Sequence, residues 1–471
     1  MSLAAKNFPA NARAALGDTQ LQEALERLRG GFVEGRRQVV AKLPEFDALR
    51  DRAAEIRRHT IAHLDQYLVQ FEERATAAGG IVHWCRDAAE ARAQILEICQ
   101  AADARLVTKG KSMIGEEIEI NDYLEAHNIE PVETDLGEYI IQLRRELPSH
   151  IIAPATHLSK EQVAESFQEH HTGLDAARPL AEPEALLAEA RTRLRQKFLA
   201  ADVGITGANF LIAETGTSVI VTNEGNGDLT QTLPRVHIVI ASLEKVVPSL
   251  DDAATLLRVL ARSATGQKLT SYTTVITGPR RHDDPDGPEE LHVVVLDNGR
   301  SGVLGDSTAE VLACIRCGAC LNVCPVYRES GGHAYGTTYP GPIGAVLSPS
   351  LLGVGEWGDL AYGSSLCGAC LEVCPVRIDL PRMLVELRAR YVTDGHADRS
   401  LERAIRRYAA AATRPAVFRA LLRAGALAGK VPRSQEGWIR SLPFMGAAWT
   451  DHRDFPKPDS RPFHRRWKDR A

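Results

Sequence analysis

Hydrophobic positions recur at helical spacing in the first part of the chain. Two long segments place apolar residues about 3.6 positions apart and show no strand-like alternation. These segments are LQEALERLRGGFVEGRRQVVAKL and FDALRDRAAEIRRHTIAHLDQYLVQF. We therefore predict an N-terminal helical segment over residues 1–75.

From residue 76 to residue 300 the pattern changes, and short β-branched runs alternate with helical segments. The strand-like runs are ARLVTKG, IEPVETDLG, SHIIAPA, NFLIAETGTSVIVTNEG, RVHIVIASLEKVV, TSYTTVITG and LHVVVLDNG. Such alternation predicts an α/β domain with a largely parallel sheet. A cysteine-rich region follows over 301–395. Helical spacing then returns in a C-terminal region, 396–471, which ends in a Pro-rich, Trp-bearing extended tail.

Composition places the chain among soluble globular proteins of more than one domain. Of its 471 residues, 44% are hydrophobic and 25% are charged. The net charge of −5 argues against a nucleic-acid-binding protein. No run of 18 apolar residues predicts a membrane span, and the N-terminus has no secretory h-region. We therefore expect a cytoplasmic location and no transmembrane segment.

Charge is distributed unevenly along the chain. Residues 401–471 hold 16 Lys or Arg and 6 Asp or Glu, a balance of +10, so the remainder carries −15. A basic end on an acidic body is typical of a docking surface for a partner. It is equally typical of a solvated helical surface, and the sequence leaves both interpretations open.

Seven of the nine cysteines fall between residues 314 and 374. The decapeptide CGACLNVCPV (317–326) recurs as CGACLEVCPV (367–376) with one change, so the chain contains a duplicated functional unit. The first copy completes the spacing Cys-x2-Cys-x2-Cys-x3-Cys-Pro, which is typical of bacterial ferredoxins. A zinc site would favour two separated CxxC pairs and four ligands. Seven thiols with a proline after each set favour iron–sulfur clusters.

In ferredoxin-type motifs the last cysteine of each copy binds the cluster of the other copy. This crossing gives cluster 1 four ligands: Cys314, Cys317, Cys320 and Cys374. It gives cluster 2 three ligands: Cys324, Cys367 and Cys370. The position that matches Cys314 in the second copy is Ser364. Cluster 1 is therefore expected to be 4Fe-4S. Cluster 2 is expected to be 3Fe-4S, or 4Fe-4S with a serine or solvent ligand or an open iron.

The two copies are separated by 42 residues, 325–366, and are flanked by helix-forming segments. This predicts a helical two-cluster domain that carries single electrons. Two other motifs fail. GVGEWG (353–358) fits a dinucleotide fingerprint but no strand precedes it, and TKGKS (108–112) lacks the first glycine of a P-loop, since position 105 is Arg105.

Three polar stretches lie at or just after predicted strands, where ligands bind in α/β sheets. They are KGKS (109–112), ETDLGE (133–138) and AETGT (213–217), and they supply five candidate pocket residues: Lys109, Lys111, Asp135, Glu214 and Thr215. A functional interpretation is an anion or carboxylate pocket, with a lysine as the cation and Glu214 as a reacting or hydrogen-bonding group. The alternative is helix capping and surface ion pairing.

These stretches, together with both cysteine motifs, GHAYGTTYPGPIGAVLSP and WTDHRDFPKP, resemble the lactate utilisation protein B family (LutB/LldF) over nearly the whole chain. The resemblance implies a LUD domain, similar in fold to the sugar-phosphate isomerase and CoA-transferase class (NagB/RpiA-like), followed by an α-helical two-cluster ferredoxin-type domain. It implies a role in oxidising L-lactate to pyruvate with two partner proteins, one iron–sulfur and one LUD-containing. It also implies seven ligand cysteines, and it assigns no catalytic residue in the LUD domain.

Three functional interpretations follow. The chain is an electron-transfer subunit that receives electrons from a lactate-oxidising partner, which the absence of a flavin or nicotinamide motif favours. Alternatively, its LUD pocket acts directly on lactate or another small acid. The third interpretation is a redox-sensing scaffold, whose clusters change partner binding and not turnover.

Overall fold

The computed structural model describes residues 7–175, 177–428, 434–435, 437–442, 446–451, 453–459, 461 and 463–470. The first six residues of the predicted helical segment and several residues of the predicted extended tail lie outside these ranges. The chain divides into two compact units, Met1–Asp394 and Gly395–Ala471. The domain boundaries proposed at 75/76, 300/301 and 395/396 stay predictions.

Helices fill the N-terminal segment, as the hydrophobic spacing predicts. They are α1 (Phe8–Gly17), α2 (Thr19–Ala41), α3 (Phe46–Ala62) and α4 (Leu64–Ala77). Side-chain caps mark the N-termini of the first two helices. Asn7 Oδ1 accepts a hydrogen bond from Ala10 N at 3.2 Å, and Asp18 Oδ1 accepts one from Leu21 N at 3.0 Å.

A six-stranded, all-parallel sheet forms the centre of the α/β region. Its strands are β1 (Ile81–Cys85), β2 (Leu106–Lys109), β3 (Glu130–Glu133), β4 (Val203–Gly207), β7 (Val236–Ser242) and β10 (Glu290–Leu296). Their order across the sheet is β1-β10-β7-β4-β2-β3. β7 is buried along its whole length, which its apolar sequence predicts for a strand covered on both faces. The expected α/β class with a parallel sheet is confirmed.

A second sheet has four strands in the order β8-β5-β6-β9 and is mostly antiparallel. These strands are β5 (Phe210–Ile212), β6 (Thr217–Thr222), β8 (Val246–Val247) and β9 (Tyr272–Ile276). The helices of the α/β region are α5 (Ala88–Ala101), α6 (Met113–Glu117), α7 (Ile120–Glu125), α8 (Leu136–Arg144), α9 (Lys160–His170), α10 (Pro183–Ala200), α11 (Asn226–Thr232) and α12 (Leu250–Ala264).

The SHIIAPA segment (149–155) differs from its prediction as a strand-like run. It forms a loop of bends and turns. His150 Nδ1 accepts hydrogen bonds from Ile152 N at 3.1 Å and Ala153 N at 3.3 Å, so a side chain satisfies amides that a sheet would otherwise bond. Burial lowers the pKa of His150 to about 4, and its ring is therefore neutral and able to accept at Nδ1.

The cysteine region is built of short helices, as expected for a helical two-cluster domain. They are α13 (Arg300–Val303), α14 (Ala319–Val323), α15 (Pro325–Ser330), α16 (Gly341–Leu352), α17 (Val354–Trp357), α18 (Ala369–Val373) and α19 (Leu380–Thr393). Short 3-10 turns lie between several of them. One continuous hydrophobic core joins residues from Phe8 of α1 to Leu387 of α19, so the N-terminal helices and the cysteine region share their packing.

The second unit begins with two helices of 14 residues each and continues with shorter elements. Its described elements are α20 (Arg399–Ala412), α21 (Pro415–Ala428), β11 (Ser434–Gln435), β12 (Trp438–Ile439), α22 (Ala447–Thr450), β13 (Phe455–Pro456) and α23 (Phe463–Lys468). The three strands form a small antiparallel sheet. Within the described part of the chain, no helix is long and apolar enough to cross a membrane.

Candidate metal centre and adjoining cavity

The two copies of the cysteine motif have the same local backbone. Gly318 and Gly368, with φ of +70° and +83°, begin the short helices α14 and α18, which lie against each other. The residue before each first repeat cysteine is also left-handed, with φ of 58° at Arg316 and 54° at Leu366. The sequence repeat is therefore a structural repeat, and it brings two cysteine loops together from positions about 50 residues apart.

The seven cysteines separate into two groups in space. A single cavity is lined by Cys314, Cys317, Cys320 and Cys374, which we call set 1. The other three, set 2, are Cys324, Cys367 and Cys370. Burial raises the pKa of Cys370 to about 12, and the neighbouring charges of Cys324 and Cys367 add to this rise. The last cysteine of each copy thus lies among the cysteines of the other copy.

The surroundings of both sets suit clusters that carry thiolate ligands. Backbone amides donate to sulfur from Arg316 N to Cys314 Sγ at 3.3 Å and from Ile378 N to Cys374 Sγ at 3.3 Å. Tyr327 N lies 3.5 Å from Cys324 Sγ in the same role. Soft sulfur ligands with amide donors around them fit iron–sulfur chemistry and stabilise the negative charge on the ligands.

Arginines from the N-terminal helices hold the carbonyl groups of the set 1 loops. Arg57, which is 1% exposed, donates to Leu312 O at 3.1 Å and to Ala313 O at 3.2 Å, just before Cys314. Arg50 donates to Cys374 O at 2.9 Å. Burial lowers the pKa of Arg57 to about 10, so it stays charged at neutral pH. These buried cations also favour a negatively charged occupant of set 1.

Ser364 occupies the position that Cys314 has in the first copy. Leu366 N donates to Ser364 Oγ at 3.1 Å, as Arg316 N donates to Cys314 Sγ at 3.3 Å. Each bond joins a backbone amide to the side chain two residues before it, at matching positions of the two copies. Set 2 also contains one exposed cysteine, Cys367, whereas every cysteine of set 1 is buried or half-buried.

A cavity of about 330 Å³ lies between the two sheets of the α/β region and set 1. Lys111 and Asp135, two of the five candidate pocket residues, line it. Lys111 Nζ also donates to Ile152 O, and Asp135 caps α8 through Gly137 N at 3.0 Å. The lining also contains Lys245, Asn209, Glu224, Arg316, Cys317 and Tyr339. The cavity therefore reaches the wall of set 1.

An ion-pair network fixes the wall of this cavity beside set 1. Glu244 is paired with Arg300 Nε at 2.9 Å and with Arg316 Nη2 at 3.1 Å. Arg300 also pairs with Glu117 at 2.7 Å, and Tyr339 Oη donates to the same carboxylate at 2.5 Å. Although burial alone would raise it, the pKa of Glu244 falls to about 2 because of these arginines. The network joins the α/β region to the 325–366 insertion.

Lys109 lies elsewhere, and its partners Glu116 and Glu133 line a second cavity. Its ammonium group is fully buried and pairs with Glu116 at 2.9 Å and with Glu133 at 2.5 Å. Asn121 Nδ2 donates to the same Glu133 oxygen at 2.7 Å. Burial raises the pKa of Glu133 to about 7, and Lys109 opposes this rise. Lys109 is thus a buried ion-pair partner, apart from the cavity that Lys111 lines.

Glu214 and Thr215 lie at the exposed turn between β5 and β6. Gly216 closes the turn with φ of +68°, and its N–H donates to Ile212 O at 2.9 Å. A Cβ at Gly216 would lie 2.1 Å from Ala75 N, so the turn is held tightly against α4. Neither residue lines the cavity of Lys111 and Asp135.

Several residues of this region escaped sequence reasoning. Lys245 follows the buried strand β7 at its carboxyl end, in the run IASLEKVV, so the rule for strand ends could have selected it. Arg50 and Arg57 are seven positions apart and share one face of α3. The usual interpretation of helix-surface arginines is ion pairing, and no local signal distinguishes these two.

Family models cover most of the chain. A LUD domain model matches residues 68–296, and a 4Fe-4S dicluster domain model matches residues 310–378. A third model, Lactate utilisation protein B, C-terminal, matches residues 389–471. The iron–sulfur character of the cysteine region is thereby confirmed.

Curated relatives align over nearly the full length. Lactate utilization protein B of Macrococcus caseolyticus is 43% identical over 98% of this chain and 97% of that protein. The protein of the same name in Bacillus subtilis is 44% identical over 95% of this chain and 92% of its own length. An Escherichia coli protein named Uncharacterized electron transport protein YkgF is 41% identical over 99% of this chain and 98% of its own length.

Among solved structures, a DUF162 family protein from Deinococcus radiodurans is 18% identical over 50% of this chain and 98% of its own. Its TM-score of 0.26 is too low to support a conclusion about fold. The family models and the curated relatives agree with the resemblance stated from the motifs. The chain belongs to the lactate utilisation protein B family.

Proposed function

We propose that this chain is an iron–sulfur electron-transfer subunit of a system that oxidises L-lactate to pyruvate. Relatives above 40% identity are named for lactate utilisation, and one is named as an electron transport protein. The observation that carries the proposal is the grouping of the seven cysteines into one set with no exposed member and a second set in which Cys367 is exposed. Clusters bound to such cysteines supply one-electron transfer.

The residues of the chain support a path between interior and surface. Set 1 lies against the cavity and the buried arginines, whereas Cys367 of set 2 is exposed. The short helices α14 and α18 hold the two sets beside each other. We propose that set 2 faces a redox partner. The system would contain two further proteins, one iron–sulfur and one LUD-containing.

An anaerobic absorbance experiment tests this role. The oxidised full-length protein with its clusters is mixed with L-lactate, and the visible absorbance of the clusters is followed before and after the two partner proteins are added. We expect bleaching only with the partners, and with L-lactate in preference to D-lactate. Unchanged absorbance with both partners and L-lactate present would refute the electron-transfer role.

We propose further that Ser364 provides the fourth ligand position of set 2, which makes that cluster 4Fe-4S. The support is the bond from Leu366 N to Ser364 Oγ, which reproduces the bond from Arg316 N to Cys314 Sγ. Ser364→Ala should increase the three-iron signal in electron paramagnetic resonance spectra, and Ser364→Cys should suppress it. Ser365→Ala, a change at the exposed neighbouring serine, is the matched control. Identical spectra for Ser364→Ala and the control would exclude Ser364 as a ligand.

A second function, direct action of the LUD domain on lactate or another small acid, is favoured by one observation. The cavity lined by Lys111 and Asp135 also reaches Cys317 of set 1. In the absorbance experiment this function predicts bleaching by L-lactate before any partner is added. That outcome would place the oxidising site within this chain.

A further inference from the structure

The second cavity, which Glu116 and Glu133 line, is strongly acidic. Of its fifteen lining residues, seven are Asp or Glu and one is Arg. The cavity lies at the carboxyl edge of the parallel sheet, because Lys109 ends β2 and Glu133 ends the neighbouring strand β3. Ligands of α/β sheets bind at this edge. A concave site with such an excess of negative charge concentrates cations.

Three carboxylates of this cavity come together from different elements. Glu116 belongs to α6, Glu133 ends β3, and Glu138 lies in the first turn of α8. Each offers one carboxylate oxygen, and these oxygens all lie within 4.8 Å of one another. Glu133 is 2% exposed and Glu138 is 1% exposed. Buried charges of the same sign at this separation repel each other strongly unless a cation lies among them.

Lys109 balances only part of this charge. Its ammonium group pairs with Glu116 and Glu133, so three carboxylates and one ammonium group leave a charge of −2. Glu133 Oε2 and Glu138 Oε1 are buried and have no hydrogen-bond partner among the described residues. Burial and the charges of the other two carboxylates raise the pKa of Glu138 well above its ordinary value. Because unpaired oxygens in the interior are costly, these two indicate a ligand from outside the chain.

We propose that this cluster binds a hard divalent cation, Mg²⁺ or Mn²⁺, through the carboxylates of Glu116, Glu133 and Glu138. The charge of such a cation equals the −2 that Lys109 leaves. A donor set of oxygen atoms alone suits Mg²⁺ or Mn²⁺, whereas zinc and iron–sulfur sites draw on imidazole or thiolate. Asn121 lines the same cavity, and its buried Oδ1, which has no partner among the described residues, is a fourth oxygen. The site goes beyond the proposed electron-transfer role, which requires no such cation.

Mn²⁺ binding to the anaerobic, cluster-loaded full-length protein tests the proposal. The protein is first freed of unbound metal by gel filtration. Free Mn²⁺ is then measured during a titration from its six-line electron paramagnetic resonance spectrum, and Mg²⁺ is added as a competitor. We expect one Mn²⁺ to bind to each chain and to be displaced by Mg²⁺.

Two variants separate this site from a general attraction of cations to an acidic surface. Glu138→Gln keeps the side-chain volume and removes a buried charge. It should weaken Mn²⁺ binding at least about 10-fold, since changes beside a metal ligand already cost that much. Glu125→Gln is the matched control, because Glu125 lines the same cavity but is exposed. It should change the affinity less than about 3-fold, because solvent and salt screen an exposed charge. Iron content and cluster spectra show that each variant is loaded and folded.

Three outcomes would overturn the proposal. The first is no Mn²⁺ binding by the parent protein at millimolar concentrations. The second is unchanged Mn²⁺ binding in Glu138→Gln. The third is an equal loss of affinity in Glu138→Gln and Glu125→Gln, which would show that the cavity attracts cations through its overall charge alone. Because the titration involves no electron transfer, failure here leaves the electron-transfer role to its own test.

Discussion

Arg57 offers the sharpest test of how the cysteine loops are held. Its guanidinium makes four hydrogen bonds to carbonyl oxygens, those of Leu312, Ala313, Val246 and Glu244. At about 1.5 kcal/mol for each bond from a charged donor, these bonds contribute about 6 kcal/mol. Burial, partly offset by neighbouring charges, lowers the pKa of Arg57 from 12.5 to about 10, and this net shift opposes the bonds by about 3 kcal/mol.

Arg57→Met therefore removes a net stabilisation of about 3 kcal/mol. At roughly 2 cal/mol/K of unfolding entropy per residue, this lowers the melting temperature of the first unit, Met1–Asp394, by about 4 °C. The variant should also lose iron from set 1, because Leu312 and Ala313 directly precede Cys314. Anaerobic calorimetry and iron analysis of the loaded protein measure both effects.

Arg58→Met is the matched control. Arg58 is the next residue of α3 and its side chain is 58% exposed; among the described residues it forms one ion pair, a 3.4 Å contact with Glu310. Replacing it should change stability by less than about 0.5 kcal/mol. If Arg57→Met has the same melting temperature and iron content as Arg58→Met, the bonds to the carbonyl oxygens do not hold the loop. That result would refute the reasoning.

Three further predictions concern the same region. Cys324→Ala should remove the spectroscopic signal of the set 2 cluster and leave that of set 1, whereas Cys374→Ala should remove the set 1 signal and leave that of set 2. If iron analysis and spectroscopy show the opposite pattern, the last cysteine of each copy does not bind the cluster of the other copy. Gly318→Ala should lower the melting temperature more than Gly368→Ala, because both φ values are positive but only at Gly318 would a Cβ lie 2.9 Å from a neighbouring side chain. The folded protein keeps His150 neutral down to about pH 4, whereas the unfolded chain protonates it below about 6.5. Stability should therefore fall by about 2 kcal/mol from pH 7 to pH 5, and in calorimetry His150→Gln should reduce this loss.

The sequence is most informative where one local pattern determines the outcome. The strands β7 and β10 are predictable because each contains a short apolar run, IVIA in β7 and VVVL in β10, which suits a strand buried on both faces. The cysteines are predictable because cluster binding demands their spacing. SHIIAPA has the same β-branched composition as a strand, yet His150 satisfies two of its amides and it remains a loop.

The cavity could not be predicted because its decisive property is spatial. Lys245 is distinctive only because its ammonium group has no partner among the described residues, although the adjacent Glu244 offers a carboxylate in the sequence. In the structure, Arg300 from 56 residues further along and Arg316 from the cysteine loop take that carboxylate. Conversely, Lys109 lies at a strand end, where ligands are expected, but its ammonium group is already paired with Glu116 and Glu133.

Cluster binding and folding of the first unit are coupled by this arrangement. Set 1 is formed by cysteines from two loops, and Arg50 and Arg57, from a third part of the chain, bond the carbonyl groups of those loops. Burial raises the thiol pKa of Cys374 to about 11, so without metal the buried cations face neutral sulfur. A bound cluster would hold these cysteines as thiolates and would supply the negative charge that balances the arginines. The N-terminal helices therefore belong to the metal site in an energetic sense, although their sequence contains no metal ligand.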